Sequence, residues 1–423
     1  MPANRKRWVL ALCSYIGFLL GLFTAALGPS LGELAKRNGA ELGAMGSVFT
    51  ALFVGALLAQ LASGPLSDAR GRRAVLVGGL ALLAAGASAL CLSTALPLAL
   101  AAVVVAGLGH GSSDLMILVL AAKTYPEKSV SALNILGLLF GAGAFVGPAL
   151  VGLSQRLSGS ALPVLWFAAA AHALAVPLVL AVLEPESAKP GPVAGAAEEA
   201  DAAKTRDAKP AQAQGDAKAK PVRGALSSPY VWILGLLLLV YVGAENAMGG
   251  WMAEYYKLTT GASAPEAAVV VSLFWLALSA GRLAAAAAGT KLSPRAVLGL
   301  GIGVALAGAL LLALSPGVRV ATLAAIVVTG FGYSSIYPTG FAMAAAAFPD
   351  APGKATSLVT VLGSAGGMLL PLLEGFVLAG AGPRAAGPFM LALGLLMLLL
   401  FGVAAARPKA SRLDREGGAP LAS

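Results

Sequence analysis

The sequence predicts an all-α membrane protein: twelve transmembrane helices in two six-helix halves. Three observations carry that expectation. Of 423 residues, 58% are hydrophobic and 11% are charged, and the mean hydropathy is +0.84; a soluble chain of this length needs far more polar surface to cover its domains. The apolar residues come in runs of about 20, the length that crosses a hydrocarbon core. The charged residues lie between those runs, with Lys and Arg gathered on alternate connections, as short cytoplasmic loops require.

The first run, Trp8 to Leu27, follows Arg5-Lys6-Arg7 and is longer than a signal-peptide core, so it is expected to remain as a span. Runs from Leu42 to Leu61, Ala74 to Leu92, Leu96 to Ala122, Val130 to Leu153 and Leu162 to Leu183 complete an N-terminal half, 1–183. From Glu184 to Ser227 the chain turns to Ala, Lys, Asp, Glu, Pro and Gln, with too little apolar surface to fold alone. It reads as a cytoplasmic linker, 184–227. Six more runs follow, from Tyr230 to Ala253, Ala267 to Ala288, Ala296 to Leu314, Val320 to Phe348, Ala355 to Ala379 and Ala386 to Ala406. They make a C-terminal half, 228–406, before a basic tail, 407–423. An even number of spans puts both termini on one side. The N-terminus, Arg70, Arg72, Arg73, Lys123, Lys128, the linker, Lys291, Arg295, Lys354 and the tail share that side. The expected location is therefore the cell (inner) membrane, multi-pass, with both termini cytoplasmic.

The composition excludes several classes. The formal charge of +10 is accounted for by the positive-inside rule, so nucleic acid is not expected as a partner. Cys13 and Cys91 lie inside apolar runs and read as small packed residues without a disulfide. No metal-ligand spacing, phosphate-binding Gly-Lys-Ser/Thr motif or nucleophile triad occurs, so neither enzyme activity nor a cofactor is expected. The partners expected are a small-molecule substrate and the bilayer, with no obligate protein partner.

The halves repeat. Arg73-Ala74-Val75-Leu76 recurs as Arg295-Ala296-Val297-Leu298, and Val104-Val105-Ala106-Gly107-Leu108-Gly109 as Val327-Val328-Thr329-Gly330-Phe331-Gly332. Six plus six spans in parallel repeat are the build of a rocking carrier whose substrate sits near the midplane between its halves. The stretch Gly64 to Arg73, GPLSDARGRR, reads as a tight turn punctuated by Gly64, Pro65 and Gly71 and held inside by its arginines. It resembles the signature loop between helices 2 and 3 of major facilitator superfamily transporters, with Ala69 where a basic residue is common. The resemblance implies a gating role for Gly64, Asp68, Gly71 and Arg72; a plain reading is a solvated turn that sets topology. Gly281-Arg282 to Arg295 is a degenerate second copy without the Asp, and Arg282, near the cytoplasmic end of its span, reads as a gating, pairing or snorkelling residue.

Ionisable side chains inside hydrocarbon are functional candidates by default. Asp114, Glu245 and Glu374 qualify. Gly107, His110, Gly111 and Asp114 share one helix face, so His110 and Asp114 could hold a coupling proton together; the structural alternative is a bond to a neighbouring helix. In the seventh span, Tyr241, Glu245, Asn246 and Trp251 stand among Gly243, Gly249 and Gly250. Carboxylate and amide groups suit several hydroxyls at once, a Trp face suits a sugar ring, and glycines allow the helix to unwind toward a ligand. The alternative there is a packing seam. Glu374, after Pro371, reads either as a cavity-lining proton carrier or as a structural acid. Tyr333 and Tyr337 lie one turn apart and read as substrate contacts or packing. His172 reads as a packed histidine, and Glu254 with Lys257 as a weak pair at the outer mouth.

Tyr241-Val242-Gly243-Ala244-Glu245, Gly250-Trp251, Ser272-Leu273-Phe274-Trp275, Gly281-Arg282-Leu283 and Gly330-Phe331-Gly332 with Ile336-Tyr337-Pro338-Thr339 are similar to helices seven, eight and ten of the fucose permease group. Asp114 is similar to the acid those carriers hold in helix four. The resemblance implies secondary transport of a hexose-type sugar by alternating access, coupled to H+, with Na+ as the second choice. The first span lacks the acid of the fucose carrier. Gly143, Gly147, Pro148 and Gly152 resemble a motif associated with antiporters, which leaves proton-driven efflux of amphipathic compounds as an alternative. A non-transporting receptor or scaffold is the alternative of another class.

Overall fold

The computed structural model describes residues 3–184, 227–289, 291–348 and 352–406. The expected tail, and the expected linker but for its first and last residues, lie outside the described residues. The first half comprises α1 (Ala3–Arg37), α2 (Ser47–Arg70), α3 (Arg72–Leu92), α4 (Leu96–Thr124), α5 (Ser129–Ser158) and α6 (Leu162–Val182). The second comprises α7 (Pro229–Thr260), α8 (Ala264–Ala288), α9 (Pro294–Leu314), α10 (Arg319–Tyr333), α11 (Ile336–Ala347), α12 (Pro352–Ala381) and α13 (Ala386–Ala406). Among the described residues, 12 stretches are long and apolar enough to cross a membrane, α10 and α11 together forming the tenth. The expected fold class holds.

Local chemistry sets the helix ends. Proline occupies the first turn of α4, α6, α7, α8 and α9, where no intrahelical N–H is needed. Ser263 and Glu266 form a capping box at the start of α8. Gly159 (φ 73°) and Gly261 (φ 69°) close α5 and α7 in the left-handed region. Polar side chains then tie neighbouring ends together. On the face that carries the start of α1, which we call basal, Arg73 donates to the Leu180 carbonyl at 2.9 Å and Arg5 to that of Val182 at 3.4 Å. On the opposite, distal face, Glu33 accepts from Ser160 Oγ and the Ala161 amide, both at 2.5 Å, which caps the start of α6.

Two expectations are corrected. The stretch from Gly64 to Arg73 is not a loop: α2 runs through Pro65 to Arg70, and the turn into α3 is Gly71 alone, at φ 84°. A Gly-Pro pair looks like a turn, but inside a long helix Pro65 costs only local backbone bonding, and Arg70 suits the last turn of α2. The tenth span, expected as one helix, breaks at Ser334 and Ser335. Pro338 supplies the reason, because it has no N–H to offer the Ser334 carbonyl four residues earlier.

The internal repeat has a packing cause. Gly109 of α4 lies against Gly79 and Leu83 of α3, and Gly332 of α10 lies against Gly301 and Ala305 of α9. A side chain at either position would collide with backbone, so both halves keep glycine there. Gly143 and Gly147 of α5 similarly admit the backbone of α1 at Phe18 and Leu22. The residues resembling an antiporter motif are thus part of a close helix seam. Gly143→Leu is expected to lower stability by about 1–3 kcal/mol through overpacking, read as a lower thermal midpoint in detergent. Gly303→Leu, at a position with nothing within 4 Å, is expected to leave that midpoint unchanged.

Candidate functional site between the two halves

The halves meet along α2 with α12, α5 with α8, and α1 with α7. Their close contacts gather at the distal end. Gly28 of α1 meets the backbone of Gly249 and Gly250 on α7, and Gly43 and Gly46, in the 3-10 turn before α2, meet Gly375 and Pro371 of α12. Thr50 donates to the Met368 carbonyl at 2.6 Å across the same interface. Gly152 of α5 meets Pro265 and Ala268 of α8. Toward the middle of the bundle Gly141 of α5 meets Ser279 of α8. The halves are closed against each other at the distal end.

Trp251 is the centre of the seal. Its ring is 0% exposed, its Nε1–H donates to the Pro371 carbonyl at 2.7 Å, and its edge lies over Gly46 and Gly375. In this arrangement it is a plug rather than the sugar-facing ring expected from the sequence. The glycines around it do not unwind α7, which is continuous from Pro229 to Thr260. They admit neighbours instead: Phe49 against Gly250, Trp275 against Gly249, and Leu370 against Gly243. Glu254, expected as half of a solvated pair at the mouth, is 4% exposed, pairs with Lys257 at 2.5 Å and sits over Gly32 of α1.

Basal to the seal, the second half presents an aromatic and acidic box at the α10–α11 break. Tyr333, the last residue of α10, and Tyr337, in the first turn of α11, flank Tyr241 of α7, with ring centroids 5.5 Å and 6.3 Å away. The Tyr241 hydroxyl lies beside the Glu245 carboxyl group. Glu245, one turn along α7, and Arg282 of α8 lie within Coulombic reach of each other. They form no ion pair, and Arg282 is half-buried. Asn246 is half-buried too, and its amide nitrogen donates to the Val242 carbonyl of its own helix at 2.8 Å.

The first half presents Asp114. It is half-buried, and Tyr337 lies within Coulombic reach of both it and Glu245. Acids from opposite halves therefore lie around one ring, that of Tyr337, in the region between the halves. His110 bonds elsewhere: Thr24 Oγ1 donates to the Leu20 carbonyl at 2.9 Å and so must accept from His110 Nε2, 3.1 Å away. Thr24 was not legible in advance, because its partner is on another helix. His172 is buried as expected, with Nδ1 donating to the Ala168 carbonyl at 2.7 Å. Glu374 does not line the space; it is 0% exposed. Asp68 is exposed at the basal end and has no hydrogen bond or ion pair among the described residues, while Arg72 beside Gly71 is half-buried and partnered.

Two six-helix halves, in close contact at the distal end and with polar and aromatic side chains gathered between them, define a multi-pass membrane bundle. The chain belongs to the Major Facilitator Superfamily, whose family model matches residues 13–263 and 234–423. It is a transporter and not an enzyme. It is 32% identical over 198 residues to the 4-hydroxybenzoate transporter PcaK of Pseudomonas putida, covering 44% of this chain and 42% of that one. The PcaK protein of Acinetobacter baylyi is 37% identical over 76 residues, 18% of this chain and 17% of that one. The match spans less than half the length of these relatives. Among solved structures, the nucleoside transporter NupG has a TM-score of 0.76 at 13% identity, covering 95% of this chain and 100% of that one. A D-xylose-proton symporter has a TM-score of 0.74 at 15% identity, with 95% and 98% covered. These last two likenesses show the fold alone. The curated relatives are hydroxybenzoate transporters rather than fucose permeases, so the superfamily stands and the group-level resemblance bears only on substrate.

Removing the bond that crosses the interface tests the seal. Thr50→Ala, which loses the bond to the Met368 carbonyl, is expected to weaken it by about 1 kcal/mol, the net worth of one hydrogen bond, or roughly a fivefold shift toward the distally open form. A cysteine placed at Ala379, which faces Gly43, should then react faster with a membrane-impermeant maleimide added from the distal side.

Proposed function

We propose that this protein is a secondary active transporter that moves a small neutral polyhydroxylated solute of the hexose class, by alternating access and with H+ as coupling ion; Na+ is the second choice. The observation that carries the reading is the position of Asp114 in one half, within Coulombic reach of Tyr337 in the other. A carboxyl group at membrane depth costs about 2.5–3.5 kcal/mol or more when charged, so its proton occupancy depends on which side has access. Binding and protonation at one interface then respond to the same rocking motion. The positive-inside rule makes the basal face cytoplasmic and the membrane the cell membrane, so the distally sealed form faces inward. On this reading residues 184–227 join the halves, and Asp68 and Arg72 belong to the cytoplasmic latch.

Charge decides between substrate classes. Asp114 and Glu245 against Arg282 leave the lining short of the positive charge an organic anion needs. A neutral polyol can use the Glu245 carboxylate, the Asn246 carbonyl and the Tyr241 hydroxyl beside it. A second reading, an aromatic carboxylate stacked among Tyr241, Tyr333 and Tyr337, is favoured by the PcaK relatives and by the absence of an ion pair at Arg282. It needs Arg282 to exchange Glu245 for the substrate. Efflux has less support, because its motif residues already have packing roles in α5.

In proteoliposomes with an imposed proton gradient, Asp114→Asn is expected to reduce accumulation of a transported hexose to the equilibrium ratio while exchange of labelled for unlabelled sugar continues. Undiminished accumulation would remove Asp114 from coupling. Glu245→Ala is expected to raise the half-saturation concentration roughly 30-fold, the equivalent of about 2 kcal/mol for a hydrogen bond to a charged group. An Arg282→Gln variant that loses only aromatic-acid transport would favour the second reading.

A further inference from the structure

The face of α8 turned toward the first half carries a row of hydrogen-bond donors that the site described above does not use. Ser272, Trp275, Ser279 and Arg282 are spaced i, i+3, i+7 and i+10, so they share one side of the helix. Ser279 lies against Gly141 of α5, which gives the direction of that side, and Gly152 of α5 meets Pro265 and Ala268 on the same side nearer the distal end. Ser272 and Trp275 fall between those two contacts. Trp275 is buried, with its ring edge against Gly249 of α7, one turn from Glu245. An unbroken row of rings, Trp275, Phe274, Tyr333, Tyr241 and Tyr337, joins it to the aromatic box, with neighbouring centroids 5.3–6.4 Å apart.

The three donors before Arg282 are unmatched. The Ser272 hydroxyl, the Trp275 indole N–H and the Ser279 hydroxyl make no hydrogen bond among the described residues. The residue of α5 that faces Ser279 is glycine, so no side-chain acceptor meets it there. A buried donor without a partner costs free energy that an apolar side chain in its place would not, so packing alone does not account for three in a row. A wall that meets a solute once α5 parts from α8 does. The facing wall is of the opposite kind. On α7 the Glu245 carboxyl group accepts from the Tyr241 hydroxyl, and Asn246 uses its amide nitrogen on the Val242 carbonyl, so both residues keep oxygens that accept.

We propose that Ser272, Trp275 and Ser279 form a donor wall of the binding site, on which the solute places acceptor oxygens while its hydroxyl protons go to Glu245 and Asn246 of α7. This rests on the transport reading and narrows its substrate class. The solute carries hydroxyl donors along one edge and oxygens free to accept along the other, as a pyranose does when its hydroxyls turn their protons to one side. Trp275 is the specificity-determining residue of the wall: its indole N–H donates to a hydroxyl oxygen of the solute and can never accept, whereas a serine hydroxyl does either. The aromatic ring that meets the solute is then Trp275, while Trp251, with its N–H on the Pro371 carbonyl, stays in the seal.

The test is counterflow by the full chain in proteoliposomes, with the hexose it exchanges competed by deoxy and deoxyfluoro analogues at each ring position. Fluorine accepts a hydrogen bond weakly and donates none. At the position held by Trp275 the deoxyfluoro analogue should compete better than the deoxy one. Trp275→Phe should raise the half-saturation concentration roughly fivefold, the worth of one hydrogen bond, and level that difference. A parent without such a position, or a difference that survives in Trp275→Phe, overturns the proposal. If Trp275→Phe does not fold, the parent carrying 5-fluorotryptophan at its five tryptophans is read by fluorine NMR in nanodiscs, the signals assigned by replacing the other four with Phe one at a time. Saturating hexose should shift the Trp275 signal and leave that of the exposed Trp166 in place; an unmoved Trp275 signal overturns the proposal equally. Hexose exchange with an unmoved Trp275 signal would reject the wall and keep the sugar reading. No hexose exchange, with the Trp275 signal moved by 4-hydroxybenzoate, would uphold the wall, its acceptors then a carboxylate, and reject the sugar reading.

Discussion

The bond from Trp251 to the Pro371 carbonyl is the constraint on which the arrangement of the two halves depends. It fixes the indole between α7 and α12 of one half, so that the ring edge becomes a flat surface for the other half to close upon. The ring edge meets two glycines. Gly46 and Gly375 let two backbones approach it, and Gly28 with Gly249 and Gly250 lets α1 come as close to α7. Small residues at helix interfaces gain van der Waals contact without side-chain entropy to lose. A seal of that kind is tight, yet few polar bonds cross it.

Pseudo-symmetry supplies the scaffold, and departures from it supply the chemistry. The contacts of α3 with α4 and with α6 recur as those of α9 with α10 and with α13. The glycines that allow them recur as well. Where α4 runs unbroken from Leu96 to Thr124, however, its counterpart breaks at Ser334 and Ser335 because of Pro338. The straight helix offers a single acid, Asp114. The broken one turns two tyrosines, Tyr333 and Tyr337, toward Tyr241 and Glu245. Ser334 and Ser335 keep right-handed helical dihedrals, so the break is a kink, and it stands beside the box.

Much of this was legible in the residues. Span number followed from hydrocarbon thickness, and the repeat followed from glycines that packing demands in both halves. The ends were misjudged because helices continue past the hydrocarbon: α1 extends to Arg37 where apolarity stops near Leu27, and α2 absorbs Gly64 and Pro65. Within the site, Asp114, Glu245, Tyr241, Tyr333 and Tyr337 could be found as polar or aromatic side chains at membrane depth, and the structure gathers them. Trp251 and Glu374 could be found but not placed, since helix spacing gives a face and not the neighbour across it. The same limit hid Thr24 as the partner of His110, and it turned the α7 glycines into an expected unwinding when they are sockets for Phe49, Trp275 and Leu370.

The central claim is that the space between Asp114 and Glu245 carries a neutral sugar-like solute from one side of the membrane to the other. The most direct measurement is counterflow in proteoliposomes loaded with unlabelled solute, using labelled hexoses with 4-hydroxybenzoate in parallel, because exchange needs no coupling ion and isolates substrate choice. The account predicts saturable exchange of at least one hexose and none of the benzoate. Exchange of the benzoate alone, or silence across the panel from folded protein, would contradict it.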